Sequence, residues 1–556
     1  MTRSPRIVIN IRNPSGGRDS AEARRTIARW LLSLTLLMIY FCGVFPFDFS
    51  SGFAGAIDVI RQRFDFTTAQ LGTRESWEKF VFYMPLGFAL GSLLWAWRGQ
   101  RAQQIVLRCA IAFSSAAAIA ASVELLQAFL SREPSLADII SKTAGSAAGF
   151  AVFILLGDPV VRLLVRSLTA IKKINDPRVF AAAAVVWLLI AMAAPLTARN
   201  LGSLRSWDPS DTLLIGNETD GIRHWDGMVS NVWLSAAALG EEEMDSALTA
   251  TDPTAKFGDS LMMAFHFDGT GPYTDSTGHT APLAWTPNFN KGAAPGTTQP
   301  SDLTGVDAIG RVGVPVGEAW WLSTAPGGAA AATNRIMQTQ AFTLVMDLAM
   351  RDFSRGDGWP RIFTISKDGT DLNLQLLQDH ENLQLRIRNG CSGNTGVDPE
   401  LVIPDIFSDT NSLRLIVTYD HGLVRVATNK SGEPFSLQYL PDSWLVWRIF
   451  PSGFWLYRMN SDGQQVASCM YRILAMLPIG LLLGNILRIL RKRGRTDQSH
   501  IIFISSTCAA ACLLEAVLYF AAGVPLSISS PIASLAAVWA GTWLILGNLP
   551  VRRQWV

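Results

Sequence analysis

Six polar side chains stand in an apolar stretch early in the chain: Lys79, Glu124, Gln127, Arg132, Asp138 and Lys142. Their spacing is helical. Glu124 and Gln127, at i and i+3, share one helix face; Asp138 and Lys142, at i and i+4, share one face of the next helix. At 1.5 Å of rise per residue, Glu124 lies about 9 Å in from the outer end of its apolar segment, and Lys142 lies at similar depth. Ionisable groups at such depth are costly, so they face a partner or a wet cavity. Two chemistries fit. One is an ion-pair network that staples neighbouring helices. The other is an outward-facing polar pocket, centred on Glu124, that binds an envelope lipid or glycan group or does acid/base work. For Asp138 the structural role has a second support: Ser135-Leu136-Ala137-Asp138 after Pro134 reads as a capping box, and helix N-termini favour acids.

No other residue pattern offers comparable chemistry. The six cysteines (Cys42, Cys109, Cys391, Cys469, Cys508 and Cys512) form no metal-ligand spacing with histidine, and a disulfide framework is not expected. Cys508 and Cys512, at i and i+4 of an apolar segment, read as small core residues. No cofactor is expected. The net charge of +2 implies no bulk acidic or basic partner. The basic residues form short clusters beside apolar blocks, which argues for a membrane and against nucleic acid.

The elements that must position these side chains are transmembrane helices. Of 556 residues 49% are hydrophobic and only 17% charged, against about 25% charged in a soluble domain. Eight apolar blocks are near the length a span needs: 27–46, 78–97, 104–130, 136–157, 179–197, 465–487, 500–522 and 526–548. The first follows an Arg-rich arm with no small-x-small cleavage site after it, and is read as a retained helix. Lys and Arg in the short flanks set the direction. The arm has Arg3, Arg6, Arg12, Arg18, Arg24, Arg25 and Arg29. Later clusters are Arg98 and Arg101; Arg162, Arg166, Lys172, Lys173 and Arg178; Arg488, Arg491, Lys492, Arg493 and Arg495; and Arg552 with Arg553. With eight spans all five clusters fall on the cytoplasmic face, and residues 198–464 fall outside. Arg61, Arg63 and Arg74 in the 47–77 loop are a mild exception.

The two membrane halves look alike. Met84-Pro85-Leu86-Gly87 with Gly91 matches Leu477-Pro478-Ile479-Gly480 with Gly484. Lys79 lies six residues before Pro85, and Arg472 six before Pro478. Glu124 lies ten before Pro134, and Glu515 ten before Pro525. The pattern implies a parallel duplication of four spans, with Arg472 and Glu515 as the counterparts of Lys79 and Glu124. Around Glu515 the other polar positions of the first half are lost, so the second copy is read as degenerate. Gly145 and Gly149 in the first copy offer a small face for close helix contact.

Residues 200–445 read as all-β. Alternation is clear in Phe342-Leu344-Met346-Leu348, Leu372-Leu374-Leu376, Leu383-Leu385-Ile387 and Leu413-Leu415-Val417-Tyr419, with turn signals at Asp368-Gly369, Asn389-Gly390 and Ser431-Gly432. A sandwich is expected. Trp207, Trp225, Trp233, Trp320 and Trp321 could stack on sugars or fill a core; Asp268 and Asp275 could ligate calcium or form turns. Paired catalytic carboxylates are missing: Glu243-Met244-Asp245-Ser246-Ala247 breaks any Glu-x-Asp-x-Glu run, which favours binding over glycoside hydrolysis.

Two resemblances extend this reading. Pro46-Phe47-Asp48-Phe49, Glu78-Lys79 before Met-Pro-Leu-Gly, and Glu124-x2-Gln127-x4-Arg132-x2-Ser135-x2-Asp138 with Gly145 and Gly149 together resemble the VanZ-like membrane family over residues 27–157. The resemblance implies that Glu124, Gln127, Arg132 and Asp138 are signature positions, and an association with low-level resistance to the glycopeptide teicoplanin. Phe265-His266-Phe267-Asp268-Gly269 and Asp275-Ser276-Thr277-Gly278 look like the opening strands of laminin-G-like or concanavalin A-like jelly rolls. Leu214-Ile215-Gly216-Asn217-Glu218, Trp225-Asp226-Gly227 and Leu239-Gly240-Glu241-Glu242 look like their closing strands. The closing motif comes first, which implies a circular permutation that sets the Leu214 strand beside one from 412–440.

The expected fold class is therefore α+β multidomain: a polytopic α-helical membrane bundle in two four-helix repeats with an extracytoplasmic all-β jelly-roll sandwich. The expected segments are a cytoplasmic basic arm (1–26), the VanZ-like repeat (27–157), a cytoplasmic basic linker (158–178), a fifth transmembrane helix (179–199), the sandwich (200–445), a linker (446–464), three spans of the second repeat (465–548) and a cytoplasmic tail (549–556). The expected setting is the inner (plasma) membrane. The expected partners are the bilayer and an envelope glycan, lipid-linked precursor or extracytoplasmic protein. A non-enzymatic binding protein is favoured over a membrane enzyme or transporter that acts on a lipid-linked substrate at Glu124.

Overall fold

The computed structural model describes residues 18–44, 56–57, 60–61, 64, 71, 74–95, 102–130, 134–269, 271–288, 305–306, 312–350, 358–397, 401–407, 412–430, 434–449 and 461–546. Pro46-Phe47-Asp48-Phe49, Arg132, most of the 47–77 loop and the C-terminal tail lie outside them. The chain divides into two compact units, Met1–Asp176 and Pro177–Val556.

The first unit is helical: α1 (Arg18–Val44), α2 (Arg74–Trp95), α3 (Ala102–Gln127) and α4 (Leu136–Lys173). Helices α2 and α4 pack backbone against backbone because small residues line the seam. A Cβ on Gly145 would sit 2.0 Å from the Phe80 carbonyl oxygen, and one on Gly149 1.8 Å from that of Met84. This close approach is what small-xxx-small faces permit. Helix α4 does not stop at the membrane boundary expected near 157. It continues without a break to Lys173, so most of the segment read as a basic linker is helix. Pro159 lies inside it without ending it.

The second unit begins with α5 (Pro177–Thr197), which enters the β-rich region. Strands follow in the order β1 (Thr212–Ile215), β2 (Gly227–Ser235), β3 (Leu261–His266), β4 (Ala284–Pro287), β5 (Gly305–Val306), β6 (Val312–Val316), β7 (Trp320–Ser323), β8 (Ala341–Met350), β9 (Arg361–Ser366), β10 (Leu372–Asp379), β11 (Asn382–Ile387), β12 (Leu401–Ile403), β13 (Ser412–Asp420), β14 (Leu423–Thr428) and β15 (Phe435–Gln438). Two short helices, α6 (Glu241–Thr249) and α7 (Ala330–Thr339), interrupt them. One antiparallel sheet runs β12-β11-β10-β9-β1-β7-β4; the other runs β15-β14-β13-β8-β2-β6-β5, with β3 also on β2. Alternate residues of both sheets, including Leu213, Ile215, Phe363 and Leu376 of one and Val232, Leu344, Leu348 and Leu415 of the other, meet in a single apolar core. The outer face of the second sheet has its own small core, where Trp233, Val345 and Ile416 lie under Met244 and Ala247 of α6.

The pairing expected for the Leu214 strand does not occur. Leu214 pairs with Thr364 of β9 and Ser323 of β7, in the sheet opposite the 412–440 strands. Gly216, at φ 91°, turns the chain out of β1. Strand β2 then enters the other sheet, next to β8 and one strand away from β13. Residues 205–245 are thus woven into both sheets and do not form a separate unit.

The chain leaves the β region through α8 (Pro441–Ile449) and returns to long helices: α9 (Ser461–Lys492), α10 (Thr496–Phe520) and α11 (Ser529–Leu546). The expected sandwich boundary at 445 falls inside α8. Helices α5 and α9, which carry the chain into and back from the β region, are pinned together. Trp187 Nε1 donates to the Ala475 carbonyl at 2.7 Å, and the Tyr471 hydroxyl donates to that of Ala191. Gly541 of α11 packs against the α9 backbone at Leu477 and Gly480, in the way that α4 packs on α2.

Among the described residues seven helices are long and apolar enough to cross a membrane. Eight were expected. The difference is α2: Glu78 and Lys79 near its start and Pro85 within it hold its hydropathy down.

Candidate functional site

The first unit places five of its six candidate side chains in buried contacts between its helices. Lys79 of α2 donates to Asp138 of α4 at 2.6 Å. Lys142, one helical turn further along α4, pairs with Glu124 of α3. The second Glu124 oxygen accepts the backbone N–H of Ser135 at 3.0 Å. Gln127 donates to the Gly43 carbonyl of α1 at 3.1 Å. Glu124 is wholly buried and Lys142 is 1% exposed. The sixth candidate, Arg132, lies outside the described residues.

This geometry changes one local expectation. Ser135 does stand at the N-cap of α4, but no capping box forms there. Asp138 turns to Lys79, and the carboxylate that serves the helix start comes from α3. Glu124 thereby meets a cation and a helix N-terminus at once, the two surroundings that most favour a buried carboxylate. Among the described residues the network holds two cations and two carboxylates.

The second unit builds its network differently. The Arg472 guanidinium of α9 binds Glu515 of α10 in a bidentate fork, Nε to Oε1 at 2.8 Å and Nη2 to Oε2 at 3.0 Å. Its Nη1 donates to Asp442 Oδ2 at 2.7 Å. Ser468, one turn before Arg472, donates to the same Asp442 oxygen, and Ser534 of α11 reaches Glu515 at 3.4 Å. Arg472 and Asp442 are both wholly buried.

The positions that match Gln127, Arg132 and Lys142 are Leu518, Gly523 and Ala533, and a polar partner comes from elsewhere in the chain. Asp442 supplies the missing carboxylate from α8, the helix that follows the last strand. Pro441 opens that helix and Asp442 occupies its first turn, a pairing that helix N-termini favour. Lys79 and Arg472, counterparts by sequence, choose different partners. Lys79 faces Asp138 and leaves Glu124 to Lys142, whereas Arg472 takes the counterpart of Glu124 directly. Ala533 stands where counting from Glu515 would place a second Lys142, and an arginine with five donors in a fixed fork serves both acids alone.

In the β region the tryptophans proposed for sugar stacking are mostly interior. Trp207, Trp225, Trp233 and Trp321 are buried, and Trp320 packs against the core. Trp225 donates to Gln378 at 3.0 Å and Trp207 to the Arg388 carbonyl at 2.8 Å. Both Asp275 oxygens are taken up by a turn: Oδ1 accepts the N–H of Ala264 and Thr277, and Oδ2 accepts the Thr277 hydroxyl and the N–H of His279 and Thr280. Asp268 is exposed. Among the described residues no three His, Cys, Asp or Glu side chains converge as metal ligands would.

Sequence reasoning missed the polar outer face of the seven-stranded sheet. Cross-strand pairing sets Thr364, Gln375 and Arg386 in one row, and all three are buried. Glu218 lies buried at this face, accepting from Ser366 at 2.6 Å and from Gln375, with Arg361 at 3.7 Å. At its rim Trp359 is exposed, at φ 51°, with the guanidiniums of Arg223 and Arg386 over its ring at 6.0 and 5.6 Å. Arg361 and Arg223 donate to the carbonyls of Trp359 and Gly358 and hold this strained turn. A run of polar residues alternating along β10 and β11 was the available signal.

One further carboxylate stands apart. Asp211, just before β1, is 2% exposed, and neither of its oxygens has a hydrogen-bond partner. Burial, then the carboxylates of Asp208 and Asp371, push its pKa up to about 7.

Compared with known proteins, residues 9–157 match the VanZ/LLP1 family. No curated protein and no solved structure matches the chain. The family match and the apolar helices together make this a multi-pass membrane protein with a VanZ-like region in its first unit.

Proposed function

We propose that this is a VanZ-like protein of the bacterial cell envelope whose β region faces outward and binds glycan, with the membrane helices as its anchor. The observation that carries the reading is Trp359, exposed at the rim of a buried polar sheet face, with the guanidiniums of Arg223 and Arg386 over its ring. An exposed aromatic in a strained turn, flanked by guanidiniums, is a recognition surface in search of a partner. The Lys and Arg clusters support the direction, with both termini cytoplasmic and 198–464 outside the inner membrane. The matched Pro-Leu-Gly and Pro-Ile-Gly helices support a duplicated, diverged membrane half. The motifs around Phe265 and Trp225 support a laminin-G-like jelly roll, though not with the strand pairing a circular permutation predicts. A role in glycopeptide resistance is the family-level expectation.

The experiment is a glycan array probed with the full chain in lipid nanodiscs. Binding that Trp359→Ala and Arg223→Ala each weaken is the expected result; no binding to any glycan sinks the reading. Reporter fusions after Arg166 and Arg495 should report cytoplasm and one near Thr251 the outside. A cytoplasmic signal at Thr251 overturns the orientation.

The reading of Glu124 as a catalytic or transport group is not favoured. Its oxygens are both engaged and its partner Lys142 is equally buried, which suits a fastening between helices.

A further inference from the structure

The network at Arg472 differs from its counterpart in two respects that point to a ligand. Its charge does not balance: one guanidinium faces the carboxylates of Asp442 and Glu515, which leaves a formal charge of −1 among buried groups. It also has an opening. Glu515 lines a cavity of about 450 Å³ whose other walls include Cys508, Cys512, Leu526, Ile528 and Leu535. That volume lies within the range of about 300–1,000 Å³ typical of small-molecule sites. The walls are apolar except at Glu515 and the Ser527 edge. Glu515 lies five residues from the end of α10, about 7–8 Å below it at 1.5 Å per residue.

Each Glu515 oxygen already accepts from Arg472, and Oε1 also from Ser534 at 3.4 Å, so the room for a further donor is on Oε2. An ammonium group brings three donors and the missing positive charge. The apolar walls accept a hydrocarbon chain. We propose that this cavity binds an amphiphile with one aliphatic chain and a cationic amine head, the chain between α10 and α11 and the amine at Glu515. The inference is independent of glycan binding by the β region, since it uses only membrane helices.

The test uses the full chain in phosphatidylcholine nanodiscs, with dodecylamine and dodecanol as probes. Cys508 and Cys512 are both exposed and line the cavity, so their rate of maleimide labelling, followed by peptide mass spectrometry, reports occupancy. Dodecylamine should slow labelling about tenfold relative to dodecanol, the factor expected of roughly 1.4 kcal/mol. Glu515→Gln should abolish that preference while Arg472 keeps Asp442. Leu535→Trp, which fills the cavity without touching the charges, should abolish protection altogether in protein that remains monodisperse. Equal protection by the amine and the alcohol would mean that Glu515 does not select a cationic head, and would overturn the proposal. So would protection that survives Leu535→Trp.

Discussion

The two membrane networks solve one problem with different parts. Each must hold an acid inside a helix bundle. In the first unit two lysines and two acids form separate pairs, and the N-terminus of α4 supplies an extra donor to Glu124. In the second unit one arginine serves two acids, and one of these is contributed by the segment that leaves the β region. Among the described residues the first arrangement pairs its charges one to one between helices. The second is negative, open on one side and tied to what lies outside the bundle. Ala533, where the count from Glu515 would place a lysine, leaves the second unit with a different charge pattern.

The comparison breaks most directly at Glu124. Glu124→Gln leaves the Lys142 ammonium buried without a carboxylate. It should cost about 3–5 kcal/mol in reversible SDS denaturation, with less folded protein in the membrane. A variant that folds normally yet loses its phenotype would instead make Glu124 a functional group and reverse the reading given above. Next comes Arg472→Lys. A single ammonium cannot reproduce the fork to Glu515 and also reach Asp442, so a loss of about 1.5–3 kcal/mol is expected by the same measurement. An unchanged variant would show that the two acids need only charge, not geometry.

Glu515→Gln should cost less than either, about 1 kcal/mol, because Arg472 retains Asp442 and the network becomes neutral. A cost equal to that of Glu124→Gln would show that the halves are equivalent after all. A separate effect concerns Asp211, which has neither solution. Its folded pKa is raised above the unfolded value, so the native state holds the extra proton between roughly pH 4 and 7. Stability of the β region should fall as pH rises through that window and level off above it. Asp211→Asn should flatten the profile and raise stability at pH 8, read by hydrogen exchange of β1. A profile that Asp211→Asn leaves unchanged would place the titrating group elsewhere.

The first network was readable from sequence because its members sit at helical spacing within apolar blocks. Glu124 with Gln127 and Asp138 with Lys142 announce their faces, and a charge at that depth announces a partner. What could not be read was the choice of partner, since capping of α4 by Glu124 depends on how α3 meets it. Asp442 was invisible for a different reason. It lies thirty residues from Arg472, in a segment of mixed character with no repeat partner, and only tertiary packing brings it to the guanidinium. The β region shows the same limit. Alternation located β8, β10, β11 and β13, but sheet order is decided by long-range pairing, so β1 joined the sheet opposite the one expected. The tryptophans were ambiguous by nature, because a ring that stacks on sugar and one that fills a core have the same sequence signature.

The pinning of α5 to α9 has a mechanical side. Any pull on the β region from a bound surface enters the bilayer along these two helices. Trp187 and Tyr471 couple them near the same level, so load arriving on one strand of the tether is shared with the other. Asp442, in the helix that follows the last strand, ties that end of the tether to α9 through Arg472. A tether built this way resists tension as a pair.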